Sequence, residues 1–185
     1  MANHDVDFLA RGLAGYLDVR QATSHFMASL QEIAKNALTE RLPTLLSAIG
    51  EPVVAKDLYP SSQADDEEFT WAWVAIMRPC EPPLSQLYAG IGWETGDNGT
   101  TNAYAMSFFV AANASARDHL LTGAQSVRPP ARFKLENTWR NEVQMRADLT
   151  PQDAPQLNRF LQDILSEWER VFRAIGGAAA LNRRS

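Results

Sequence analysis

A single cysteine, Cys80, stands in the 185-residue chain. It cannot close an intrachain disulfide, so the chain is not one of the small secreted scaffolds that depend on such staples. Histidine is nearly as scarce, with only His4, His25 and His119. One thiol and three scattered imidazoles do not supply the clustered ligands of a zinc site. A nucleophile–base–orienter triad has equally little to draw on. The one Cys/His pairing, Cys80 with His119, sets the thiol in Arg78-Pro79-Cys80-Glu81-Pro82, which matches no nucleophile motif.

Positive charge is also in deficit. Seventeen Lys and Arg against 22 Asp and Glu leave a net charge of −5, which argues against a general nucleic-acid binder, because neutralising phosphates needs a basic surface. No apolar run approaches the ~18–20 residues of a membrane span. The segment Met1-Ala2-Asn3-His4-Asp5-Val6-Asp7 is acidic and lacks the basic-then-apolar order of a signal peptide, so the expected location is the cytoplasm. Phosphate loops are missing too. Gly90-Ile91-Gly92-Trp93-Glu94-Thr95 opens like a dinucleotide fingerprint, but Thr95 stands where the third glycine belongs and a hairpin follows rather than a helix. No cofactor is expected.

What the chain does contain is apolar material in regular patterns. Hydrophobic residues make up 45%, enough for a single domain with a real core. Three apolar runs, 69–78, 87–94 and 102–111, follow one another and read as consecutive antiparallel strands. In the first, Phe69, Trp71, Trp73, Ala75 and Met77 share one face and Thr70, Ala72, Val74 and Ile76 the other. Both faces are apolar, as in a central or doubly covered strand. The second alternates Leu87, Ala89, Ile91 and Trp93 with Tyr88, Gly90, Gly92 and Glu94. Its two glycines leave a bare patch where a ring or another backbone can approach closely. The intervening Thr95-Gly96-Asp97-Asn98-Gly99-Thr100 is a hairpin signal, since Asn-Gly readily supplies positive φ.

Apolar residues at helical spacing from Val19 to Leu38 predict a helix over 16–49, with a bend or restart at Pro43. Residues 51–68, with Tyr59-Pro60-Ser61-Ser62, read as a connector. Ser115 and Asp118 suit the start of a short helix ending at Gly123. Segments 132–136 and 142–149 read as a second hairpin. The last helix is the clearest: Thr150 as cap, Pro151 at its first position, Asp153 at the positive end of the dipole, and a stripe of Leu157, Phe160, Leu161, Ile164, Leu165, Trp168, Val171, Phe172 and Ile175. The two Asn-x-Ser/Thr triplets, at Asn98 and Asn113, are read as turn and cap chemistry rather than glycosylation sites.

The expected fold is α+β: a mostly antiparallel five-stranded sheet in the order α-β-β-β-α-β-β-α, with long N-terminal and C-terminal helices. Residues 1–15 are expected to be a flexible arm, 16–177 one domain and 178–185 a frayed tail. That order resembles the class I type III secretion chaperone fold, over about residues 17–175. The closest local likeness is strand 143–149 running into the capped helix with Phe160 and Trp168. The resemblance implies a small, acidic, cytoplasmic, usually homodimeric protein that holds an extended protein segment. It carries over no individual residue. The longer first helix and the proline-rich loop 79–83 depart from the pattern.

The residues singled out for binding are Trp71, Trp73, Tyr88, Gly90, Gly92 and Trp93. They form either an aromatic core under the helices or an exposed surface for a peptide or partner subunit, since aromatics are enriched in interface cores. The stripe of the first helix offers the same choice between packing on the sheet and gripping a second chain. The leading expectation is a non-enzymatic, chaperone-like protein that binds a protein segment and forms homo-oligomers. The alternative is a nuclease-like metal enzyme using Asp65, Asp66 and Glu94, since carboxylates bind hard cations. The lysine such a site requires two residues after Glu94 is Gly96, and Lys134-Leu135-Glu136 has the order reversed. A structural or assembly component is the third reading.

Overall fold

The computed structural model describes residues 3–50, 54–61, 69–77, 83–137 and 141–182, with 3–6, 54–61, 69, 77 and 137 described by backbone alone. Asp65, Asp66 and Cys80 lie outside the described residues.

The chain runs α1 Asn3–Ile49, β1 Val54–Ser61, β2 Phe69–Met77, β3 Leu84–Thr95, β4 Thr101–Ala111, α2 Ala114–Val127, β5 Lys134–Asn137, β6 Glu142–Leu149 and α3 Leu157–Ile175. This is the α+β class expected, with an antiparallel sheet and a long helix at each end. The five expected strands all form, and a sixth, β1, joins them at the edge, giving the order β1-β2-β3-β4-β6-β5. Every described pairing is antiparallel. The segment containing β1 was expected to be a connector because of Pro60. A sheet edge is the place where a strand tolerates proline, since no ladder partner is needed on one side.

α1 runs through Pro43 to Ile49 as one long helix. Two further expectations give way. The segment expected to be a loose arm is helical from Asn3 onward. The tail beyond Gly177 is not frayed as far as Asn182: Ala178–Asn182 is a 3-10 turn that buries Ala178 and Leu181 against the core.

Local chemistry explains the helix ends. Asn113, rather than Ser115, caps α2, its Oδ1 accepting from the Ala116 amide at 2.9 Å. The helix does not stop at Gly123. That residue is where α2 meets α3, and a Cβ there would fall 2.6 Å from Ile175 Cγ2. Arg170 of α3 donates to the Val127 and Arg128 carbonyls at 2.8 and 3.1 Å, satisfying acceptors left over at the end of α2. Ahead of α3, Thr150 opens a 3-10 turn, Pro151–Gln156. The Asp153 carboxylate accepts from the Thr150 amide at 2.7 Å and its hydroxyl at 2.6 Å, and these bonds hold Asp153 below the usual carboxylate range.

All three helices contribute to one core, and they meet one face of the sheet. On that inner face lie Ala72, Val74, Ile76, Leu87, Ala89, Ile91, Ala105, Phe109, Val143, Met145 and Ala147. Trp168 and Phe172 of α3 pack edge-on against Phe109, each with ring centroids 5.1 Å away. The two buried polar side chains of the inner face are satisfied by β3 carbonyls. Thr70 Oγ1 donates to Ile91 O at 3.2 Å and Ser107 Oγ to Tyr88 O at 2.8 Å.

Candidate functional site

Alternation along each strand sends the other half of the side chains to the outer face, where no described helix residue joins them. The register follows from the β3–β4 hairpin. Gly99 takes φ +76°, Asn98 Oδ1 accepts from the Thr100 amide at 2.9 Å, and the Gly96 amide donates to Thr100 O at 2.9 Å. That turn sets Tyr88 opposite Phe108, Gly90 opposite Met106 and Gly92 opposite Tyr104. On the other side of β3, Trp73 pairs with Tyr88 and Trp71 with Gly90.

Four aromatic rings therefore stand together across β2, β3 and β4. Tyr88 lies 4.3 Å from Trp71 (centroid to centroid, planes 21° apart), 4.5 Å from Phe108 (8°) and 5.8 Å from Trp73 (26°). Nearly parallel rings at 4.5 Å are closer than the width of a ring, so they cannot lie flat side by side on the sheet. They overlap face on face, and their edges point outward. Tyr88 and Phe108 are 9% and 7% exposed, while Trp71 and Trp73 stay partly exposed at the side of the group. The Tyr88 hydroxyl donates to Gln86 Oε1 at 2.5 Å. Burial first, and then the Glu142 carboxylate, raise its pKa above the ordinary tyrosine value, so Tyr88 is a neutral donor at physiological pH.

Gly90 makes this arrangement possible. A Cβ there would lie 2.7 Å from Trp71 Cα and 2.9 Å from Trp71 Cβ, and closer still to the Thr70 carbonyl. The bare patch read from the sequence is thus occupied by β2 itself.

The other half of the outer face, over β6 and β5, is charged. Arg146 is its hub: its guanidinium lies 4.5 Å from the Tyr104 ring centroid, 2.9 Å from Glu94, 3.6 Å from Asp148 and 3.8 Å from Glu136. Lys134 binds Asp148 at 2.5 Å, and Gln144 donates to Glu136 at 2.6 Å. Hydrogen bonding and charge from Arg146 lower the Glu94 pKa, and bonding from Lys134 lowers that of Asp148. Arg146→Ala should cost about 1–2 kcal/mol at neutral pH, the sum of a cation–π contact and partly exposed ion pairs. Glu94 and Asp148 have depressed folded-state pKa values. Their contribution is complete above the unfolded values near 4.5 and 3.8 and fades as pH falls through the folded ones. The gap between urea titrations of the two proteins should therefore narrow as pH falls below those unfolded values, leaving the cation–π part, which does not titrate there. A gap that stays constant with pH would remove electrostatics as its source.

Of the residues singled out from the sequence, Trp71, Trp73, Tyr88, Gly90 and Gly92 share the outer face. Trp93 does not: it points to the inner face, partly buried against the core, because it is odd-numbered with Leu87, Ala89 and Ile91. Of the carboxylates of the metal alternative, Glu94 is engaged with Arg146, while Asp65 and Asp66 lie outside the described residues. Among the described residues no three His, Cys, Asp or Glu side chains are grouped to hold a metal ion. His119 sits in α2, its Nδ1 3.3 Å from Leu181 O. Phe108 and Arg146 were missed. Phe108 was legible in principle, since the Asn-Gly turn pairs it with Tyr88. Arg146 was hidden because its partners come from β3 and β5.

None of the described helices is long and apolar enough to cross a membrane. No known protein family, curated protein or solved structure matches the chain.

Proposed function

We propose that this is a non-enzymatic, chaperone-like protein that holds an apolar protein segment against the outer face of its sheet. The observation that carries the reading is the group of four rings, Trp71, Trp73, Tyr88 and Phe108, on a face that the described helices leave open. The ring orientation narrows the ligand class. Stacking on a nucleobase or a sugar needs a free ring face, and here each ring gives a face to a neighbour. Ring edges carry partial positive charge, which suits peptide carbonyls and apolar side chains. The charged group beside the rings sets three carboxylates against two cations, Arg146 and Lys134, a balance that does not favour phosphate. The six-stranded order α-β-β-β-β-α-β-β-α has one strand more than the secretion-chaperone pattern, so the proposal rests on this face rather than on that likeness. In the same reading the chain self-associates, because α1 leaves large apolar side chains uncovered.

The test is selection of random peptides by display on the purified protein, followed by titration of the winners against wild type and a Trp71→Ser/Trp73→Ser variant. Enrichment of apolar peptides whose affinity falls at least about tenfold in the variant, or about 1.4 kcal/mol, is the expected result. Peptides that bind both proteins equally would place recognition elsewhere, and selection of none would sink the reading.

A further inference from the structure

Among the described residues, no other element packs on the first half of α1. Every residue from Asp7 to Phe26 is exposed, and the first buried one is Leu30. Within that span Phe8, Leu9, Leu13, Tyr16, Leu17, Val19 and Phe26 are 56–71% exposed. Twenty residues are about 30 Å of helix, and an isolated helix of that length is marginal in water without a packed face.

The apolar sector is the same one that α1 uses inside its own domain. At about 100° per residue, Phe8, Gly12, Tyr16, Val19 and Phe26 fall within about 40° of Leu30, as do the buried Ala34, Ala37 and Ala48. Leu9 and Leu13 widen it on one flank, with Arg20 between them, and Leu17 lies further round at about 140°. Asp7, Arg11, Asp18 and His25 lie on the other side.

We infer that this segment pairs antiparallel with the same segment of a second copy of the chain, about a two-fold axis near residue 14. The inference rests on the self-association proposed above and assigns it a surface and an orientation. Four observations favour a second copy in this arrangement. The exposed side chains of this sector, Leu17 on the far side excepted, offer several hundred Å² per chain, of the order of the ~800 Å² per partner of a standard interface. With residue numbers summing to about 28, Tyr16 of each chain lies over Gly12 of the other, where nothing stands within 4 Å of a Cβ position, and Leu9 meets Val19. On the polar flank the same symmetry brings Arg11 of one chain beside Asp18 of the other, twice. A parallel pair would instead set Arg11 against the flank of Leu9 and Leu13, while Asp18 would face Arg20 there. Finally, the described overlap, from residue 3 to about residue 26, ends short of Leu30, the first buried residue of the partner. Isologous pairing of this kind closes on itself and stops at two.

The experiment uses the full chain with Cys80→Ser and His25→Cys, spin-labelled at position 25 for pulsed dipolar distance measurement, beside light scattering on a sizing column. The expected mass is twice 20.5 kDa, and the expected label separation is roughly 30–40 Å, against roughly 15–25 Å for a parallel pair. Tyr16→Arg/Val19→Arg should give a monomer with an unchanged melting temperature for the domain. A dimer with the short distance, or one that survives the double substitution, overturns the antiparallel interface while leaving self-association in place. A wild-type monomer at about 100 μM overturns both. Neither outcome touches peptide capture by the sheet face, which the Trp71/Trp73 variant reads separately.

Discussion

Trp168→Ala is expected to lower the unfolding free energy by about 3–5 kcal/mol, the range for removing a large aromatic from a packed core. Trp168 has no exposed surface, and its indole fills the space between α3 and the inner face, with the Phe109 ring edge-on at 5.1 Å. The ring neighbour is Phe109, held in β4 by backbone ladders on both sides that cannot collapse into the hole. Typical domain stabilities are only about 5–15 kcal/mol, so the variant should be close to unfolding at 37 °C. Trp168→Phe is a sharper control. The indole Nε1 is buried and finds no hydrogen-bond partner among the described residues, a cost of about 1–3 kcal/mol that phenylalanine does not carry. The Phe variant should therefore lose much less than ring area alone suggests. Urea unfolding followed by circular dichroism measures both. An Ala variant within about 1 kcal/mol of wild type would mean that the core is not centred on this ring.

Gly90→Ala should be the most damaging single-methyl change on the sheet, at about 3 kcal/mol, the upper end for overpacking. The added Cβ would fall inside contact distance of β2 backbone at Thr70 and Trp71, and backbone in a central strand has no rotamer to change. The strands must part, and Trp71 then loses its place against Tyr88. Stability and the near-ultraviolet dichroism of the stacked rings should fall together. At Gly99 alanine meets a different obstacle, a positive φ of 76° with open space around it, so strain there is local and the ring group should keep its signal. Equal loss of ring signal in both variants would argue against Gly90 as the seat of the Trp71–Tyr88 contact.

Much of the fold was legible because the signals were local. The 142–149 alternation and the stripe of α3 each depend on residues within one element, and both formed as read, although Thr150 caps the 3-10 turn ahead of α3 rather than α3 itself. The candidate site was half legible. Alternation placed Trp71 and Trp73 together, and Tyr88, Gly90 and Gly92 together. Uniting the two sets needed the register of β2 against β3, which nothing in either strand states. Trp93 was misplaced by residue type, although its own alternation put it with Leu87, Ala89 and Ile91. β1 was missed because Pro60 breaks a strand pattern locally, while an edge position makes that break harmless.

By itself the sequence determined five of the six strands, the periodic faces and the scarcity of catalytic side chains, since each is a property of near neighbours. Only the tertiary structure decided which sheet face the helices cover, that Trp71 lies against the bare patch at Gly90, that Arg146 gathers carboxylates from three strands, and where α1 leaves its own domain. Those depend on which distant surfaces meet. A stripe along a helix reads the same whether it packs on its own core, as it does after Leu30, or stands exposed, as it does before Met27.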